Sequence, residues 1–253
     1  NAAPDDITRY SAEALAALAQ SVFKRCSLRK RGESYVELFS PRDENKAYGR
    51  NEMVLAAIND DMPFLFDSLI AEMSSHGARV RAVFHPVIAL GEAQNGKPVK
   101  ESVIALVIDP VDEARRHAIV EGARAVFAQV HVAVRDWHAM QAHLLDTIAE
   151  LEKHPPKVPE DELKESLQFL KWLSDNHFTF LGSRDYRYSD VDGGRLDQIA
   201  DSGLGVLSDT AARVVHRGED RGLLSPDARE FLTLPPPIII PKRSEERRIG
   251  KEC

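Results

Sequence analysis

The sequence predicts an α+β protein: a small sheet with two helices on one face, then a helical extension and a second, incomplete α/β region. Three observations carry this. Apolar residues recur at helical spacing over 11–26, 62–76 and 110–130. Short apolar or alternating runs at 34–40, 53–58, 78–90 and 101–109 read as strands. From residue 51 to 137 the order is strand, helix, strand, strand, helix, strand, the βαββαβ order of a ferredoxin-like sandwich.

Each element has its own signal. In "SAEALAALAQSVFKRC", Leu15, Leu18, Val22 and Cys26 fall on one helix face, with Ser11 as N-cap. "SYVELFSP" alternates at Tyr35, Glu37 and Phe39 and stops at Pro41. "RDENKAYGRNE" is a polar loop. Met53 to Ile58 is a short apolar run suited to a buried strand. Pro63 suits the first helical position, which makes Met62 the boundary. Met62, Phe66, Leu69, Ile70 and Met73 then form the apolar face, and His76-Gly77 ends the helix with Gly77 left-handed. "ARVRAVFHPVIAL" is a strand bent at Pro86, and Asn95-Gly96 marks a hairpin turn into "ESVIALVID". The second helix presents Ile119, Ala123, Val126 or Phe127, and Val130, and "HVAVRDW" reads as the fourth strand. Beyond it, Leu144, Ile148 and Leu151 mark one helix, and "HPPKVP" is a stiff turn. Leu163, Leu167, Leu170 and Leu173 or Ser174 mark another helix. "FTFLGSRDYRY" is a strand pair or bent strand, "SDVDGGRLDQIADSGLGVLSD" is loop-rich, and "REFLTLPPPIIIPK" looks like entry to a further strand.

Charge and cysteine content narrow the function. A net charge of -7 argues against nucleic acid, which needs a basic face. The short basic cluster Lys24, Arg25, Arg29, Lys30 and Arg31 reads as a solvated helix end. Two cysteines, Cys26 and Cys253, without a CxxC or Cys/His cluster signal no zinc site and suit a reducing, cytoplasmic setting. No apolar run reaches a membrane span of roughly 20 residues, so no membrane partner is expected. No catalytic set emerges. "GLGVLSD" is a turn rather than a dinucleotide fingerprint, no P-loop or nucleophile elbow occurs, and His138 and His143 do not share a helix face. His131 reads as a surface residue and His177 as a helix end. His85, before Pro86, is the histidine to watch, though a structural role is its default.

"NDDMPFLFDS" is the segment with the strongest functional signal. Asp60 and Asp61 precede a helix, and two readings stand. As structure, acids favour the positive end of a helix. As function, bare N-terminal N–H groups take a carboxylate while an aspartate takes an ammonium, the two charged ends of a free amino acid. The candidate effector loop is Asn59, Asp60, Asp61 and Met62, with Gly77 permitting the turn after the helix.

"NDDMPFLFDSL", "FHPVIAL", "VRDWHAM" and "FLKWLSDNHFTFLGSRDY" resemble the N-terminal region of the large bacterial NAD-specific glutamate dehydrogenases, from roughly Ser11 to Lys242. Departures are Phe66, where the family usually has Val, and "ESVIALVID", which is less aromatic. The resemblance implies ACT-type modules, which agrees with the βαββαβ order. It implies a regulatory and oligomerisation region of an enzyme that converts L-glutamate, NAD and water to 2-oxoglutarate, ammonium and NADH. It implies NAD for the parent and none for this piece, which carries no catalytic lysine motif. It also implies a homo-oligomer and an amino-acid effector. The alternative is a non-catalytic amino-acid sensor or scaffold.

The expected organisation is a helix and strand segment over 1–50, an ACT-like domain over 51–136, a helical connector and strand-loop region over 137–235, and the start of a further module over 236–242. Residues 243–253, "RSEERRIGKEC", resemble the translation of a sequencing adapter with Ile249 in place of Val, so a non-native tail is expected, with the native chain continuing past Lys242.

Overall fold

A computed structural model describes residues 4–89, 100–189 and 195–209. The Asn95-Gly96 turn, "REFLTLPPPIIIPK" and the adapter-like tail lie outside the described residues. The chain divides into two compact units at His131/Val132.

The first unit opens with α1 (Pro4–Thr8), α2 (Ala12–Cys26), β1 (Tyr35–Phe39), the four-residue α3 (Pro41–Glu44) and a 3-10 turn at Lys46–Tyr48. Then follow β2 (Met53–Asp60), α4 (Leu65–Ser75), β3 (Val80–Phe84), β4 (Val87–Ala89), β5 (Lys100–Ile108) and the start of α5 (Glu113–Lys153). Ser11 caps α2 as its sequence position predicts, its Oγ accepting from the Ala14 N–H at 3.2 Å.

The sheet is antiparallel throughout, in the order β1-β2-β5-β3, with β4 pairing β5 beyond β3. β2 and β3 both pair with β5, so they run parallel with β5 between them, joined through α4. His85 and Pro86 interrupt the bent strand as expected, and the Pro86 carbonyl still accepts from the Val103 N–H at 3.0 Å.

The expected βαββαβ order needs one correction. "HVAVRDW" is not a fourth strand; residues 131–137 are helical within α5. The place beside β2 is filled by β1, which precedes it, in the register Tyr35↔Ile58 to Phe39↔Val54. The physical reason is periodicity. Val130, Ala133 and Met140 are the buried positions, which is helical rather than alternating spacing.

β2 and β5 are covered on both faces. Val54, Ala56 and Ile58, with their cross-strand partners Val107, Ala105 and Val103, pack with Ala14, Ala17, Leu18 and Cys26 of α2. Leu55, Ala57, Leu106 and Ile104 project to the opposite face by the alternation of a strand. The fully buried side chains of α4 and α5 are Leu65, Leu69 and Met73, and Ile119, Ala123 and Phe127. Phe66 and Ile70 are only half-buried, and Phe127 rather than Val126 takes the core position of α5. Gly122 marks the close approach of α4 and α5, where a Cβ would stand 2.0 Å from the Glu72 carboxylate.

The second unit holds the rest of α5, α6 (Glu160–Trp172), a π-helical turn (Leu173–His177), β6 (Gly182–Ser183), β7 (Tyr186–Ser189), β8 (Arg195–Gln198), β9 (Leu204–Gly205) and a 3-10 turn at Val206–Ser208. Its core is Ile148, Leu170 and Leu173, with Leu144, Leu151 and Leu167 packed around them, as the leucine spacing predicts. β7 pairs β8 and β6 pairs β9, so part of the segment read as loop-rich is strand. Asp136 accepts the Gly205 N–H at 2.8 Å and bonds Arg135 at 2.7 Å. The Arg135 guanidinium, helped by the Gly205 N–H and opposed by partial burial, holds the Asp136 carboxyl down at about 2.

Two outcomes test this packing. Phe127→Ala should cost about 3–5 kcal/mol in urea unfolding and Val126→Ala under about 1.5 kcal/mol; equal costs would refute the register of α5. Asp136 has a folded pKa of about 2 against an ordinary 3.8, so its contribution is full above 3.8 and fades as pH falls through 2. The stability gap between the native chain and Asp136→Asn should therefore close across that interval, read by chemical denaturation at stepped pH.

Candidate functional site

The predicted loop sits at one end of β2, and strand alternation sorts its residues. Asp60 lies on the α2 face, opposite Glu101 of β5. Arg29, with 1% of its side chain exposed, bridges both, at 2.6 Å to Asp60 and 2.7 Å to Glu101. Its Nε donates to the Glu33 carbonyl at 2.8 Å. Asp60 is thus occupied by an ion pair and does not stand free for an ammonium group.

The basic cluster needs a related correction. Arg25 and Arg29 are not solvated. Arg25 is buried, with its guanidinium 3.3 Å from the Phe39 ring centroid, and bonds Glu37, Glu44 and the Ser21 carbonyl. The reason is their position in the last turn of α2 and just after it, above strand carboxylates that need cations once covered. Nearby, burial and the Glu37 carboxylate push the Tyr35 phenol up to about 12.

Asn59 lies on the other face, that of Leu55 and Ala57. It is wholly buried. Ser34 Oγ donates to its Oδ1 at 2.5 Å, while its Nδ2 has no hydrogen-bond partner. Cross-strand from it is Ser102, also buried, whose Oγ is 2.8 Å from His85 Nε2. The His85 ring stacks on Phe66 of α4, 5.3 Å between centroids. Burial holds the His85 pKa below its ordinary value, opposed by the Asp61 carboxylate. A neutral imidazole can accept or donate toward Ser102.

The loop itself is strained where it meets the helix. Pro63 is not the first helical residue: a turn intervenes, and α4 begins at Leu65. Phe64 is its N-cap at φ 70, a left-handed conformation that costs a bulky residue about 1–2 kcal/mol, and it offers no side-chain cap. Met62 is half-buried ahead of this turn. Asp61 is exposed, and its backbone N–H donates to the Lys100 carbonyl at 3.0 Å. Gly77 takes the expected left-handed conformation at φ 61, but at the far end of α4, away from the loop.

The structure therefore gathers Asn59 with Ser34, Ser102, His85 and Phe66, with the Asp61 charge acting on His85, and among the described residues shows no contact of Met62 with them. Ser34 and Ser102 were not legible as site residues, because a lone serine in a strand carries no signal. Only the register of three strands aligns them with Asn59. Among the described residues no group of three His, Cys, Asp or Glu could hold a metal ion, and no helix is long and apolar enough to cross a membrane.

Residues 1–123 match the family described as "Glutamate dehydrogenase, ACT1 domain". The chain is 29% identical over 232 residues, 85% of its length, to an NAD-specific glutamate dehydrogenase of Halomonas elongata. It is 29% identical over 217 residues, 80% of its length, to the enzyme of that name from Pseudomonas aeruginosa. It spans only 14% and 13% of those two relatives.

The ion-pair geometry predicts unequal costs on the α2 face. Arg29→Met strands Glu101 and should cost about 3–5 kcal/mol in urea unfolding. Asp60→Asn removes a more exposed partner and should cost about 1 kcal/mol or less. A milder effect for Arg29→Met than for Asp60→Asn would overturn the assignment of Asp60 as structural.

Proposed function

We propose that this chain, whose residues 1–123 match the ACT1-domain family of glutamate dehydrogenase, is an N-terminal regulatory and oligomerisation region of an NAD-specific glutamate dehydrogenase, and that the loop after β2 receives a free amino acid. The parent reaction is oxidative deamination of L-glutamate by NAD, giving 2-oxoglutarate, ammonium and NADH. In this reading the chemistry is done elsewhere in the parent, and this region contributes no catalytic group.

One observation carries the effector reading. A fully buried Asn59 amide keeps an unpaired Nδ2 at the loop. An unsatisfied buried donor costs about 1–3 kcal/mol, so a ligand oxygen that fills it returns that free energy on binding. A carboxylate would accept from Asn59 Nδ2 and from the first-turn N–H groups of α4, which no side chain caps. Asp61 is the acid left to meet the ammonium.

In this reading NAD is held elsewhere in the parent. The turn from β2 to α4 carries Asp60 and Asp61, and the turn from β5 to α5 carries Asp109 and Asp112. Neither has a glycine to let a pyrophosphate approach.

A second reading, an interaction module without ligand, draws on exposed Phe169, Trp172 and Phe178 in the second unit, where the Trp172 ring contacts the other two. Isothermal titration of the chain with a panel of free amino acids separates the two. At least one should give saturable heat, weakened at least tenfold by Asn59→Ala or Asp61→Ala. No heat from any of them, with self-association in the ultracentrifuge that no amino acid alters, leaves the interaction module standing instead.

A further inference from the structure

The opposite end of the sheet holds a cavity that the effector loop does not touch. Its volume is about 370 Å³, and its lining includes Arg9, Tyr10, Arg50, Glu52, Arg81 and Asp109. Glu52 precedes the first residue of β2, and Asp109 follows the last of β5. Eight strand residues at roughly 3.3 Å each set the two places about 20–25 Å apart.

Three guanidinium groups meet two carboxylates here, and both carboxylates are engaged. Asp109 is held by Arg81 through two bonds, 2.7 Å and 2.9 Å. Glu52 accepts from the Tyr48 hydroxyl at 2.7 Å and the Tyr10 hydroxyl at 3.3 Å, and lies 3.8 Å from Arg50. Burial and the Glu52 charge raise the pKa of both phenols, so they stay protonated donors to it. Arg9 and Arg50 are bonded chiefly to carbonyls, Arg9 to that of Arg81 and Arg50 to that of Arg9. Arg50 also lies over the Tyr10 ring, 4.7 Å from its centroid. These contacts fix the two guanidinium planes, and with Glu52 beside Arg50 and Asp109 held by Arg81 the three guanidinium groups exceed the two carboxylates by one charge. Arg9 and Arg50 both line this one concave space, in a chain whose overall charge is -7.

We propose that this cavity binds a small oxyanion, a carboxylate- or phosphate-bearing metabolite, through the forks of Arg9 and Arg50. Planar guanidinium groups pair both oxyanions with two parallel bonds. The site is independent of the amino-acid loop, because no residue is shared.

The test is isothermal titration of the full chain with inorganic phosphate and, separately, with succinate. Saturable binding of either supports the site, and the one that binds more tightly identifies the source of the oxyanion. Arg50→Gln should weaken that binding at least tenfold, and Arg50→Lys, which keeps the charge and loses the fork, should fall between. Arg9→Gln gives the same reading from the other fork should Arg50→Gln fail to fold, as judged by circular dichroism. Asn59→Ala should leave it unchanged, which separates failure here from failure of the effector loop. Absence of binding by both anions, or an unchanged affinity in folded Arg50→Gln, would overturn the proposal.

Discussion

The β2–β5 pair is the constraint on which the first unit depends. Its register from Met53↔Ile108 to Asn59↔Ser102 is buried on both faces. A pair of strands with no wet face must be roofed twice, so α2 covers one side while α4 and α5 bury their apolar stripes on the other. Between the ends there is no room for an unpaired polar group. Polar chemistry in this sheet is therefore pushed to the strand ends, and both places argued to bind ligands lie there.

The roof formed by α2 is fixed by charge as well as by packing. Arg25 and Arg29, the two arginines at its end, each pair with two carboxylates: Glu37 and Glu44, then Asp60 and Glu101. Such pairs stabilise little against a water-exposed reference, since desolvation offsets their attraction. Their effect is positional. Any slip of α2 along the sheet would strand a buried cation over apolar surface, so the pairs select one register for the helix.

The helices were legible because their apolar spacing is a local property. Ser11 to Cys26, the α4 stripe of Leu69 and Met73, and the leucines of α6 are read from neighbours three and four residues apart. "HVAVRDW" misled because seven residues of mixed alternation fit either period, and only the burial of Val130, Ala133 and Met140 decides for helix. β1 was recognised as a strand, but nothing local states that it pairs with β2. Pairing is a long-range property, and it is what places β1 where the missing strand was expected.

The same distinction explains the site. Asn59, Asp60 and Asp61 are adjacent in sequence and read alike, yet a strand turns successive side chains to opposite faces. Asp60 falls on the α2 face and is claimed by Arg29. Asn59 falls on the α4 face, where Ser34 satisfies its oxygen and nothing satisfies its nitrogen. Asp61 lies past the strand end and stays in solvent. A helix-capping account covers none of the three, because α4 starts at Leu65 behind a left-handed Phe64 that supplies no cap. A fold that needed only stability at this position would set an apolar residue beside Ala57 and remove the orphaned donor together with its cost. Retaining the amide, the strained turn and the uncapped helix start at one point is consistent with a loop shaped for an oxygen ligand that arrives from outside the chain.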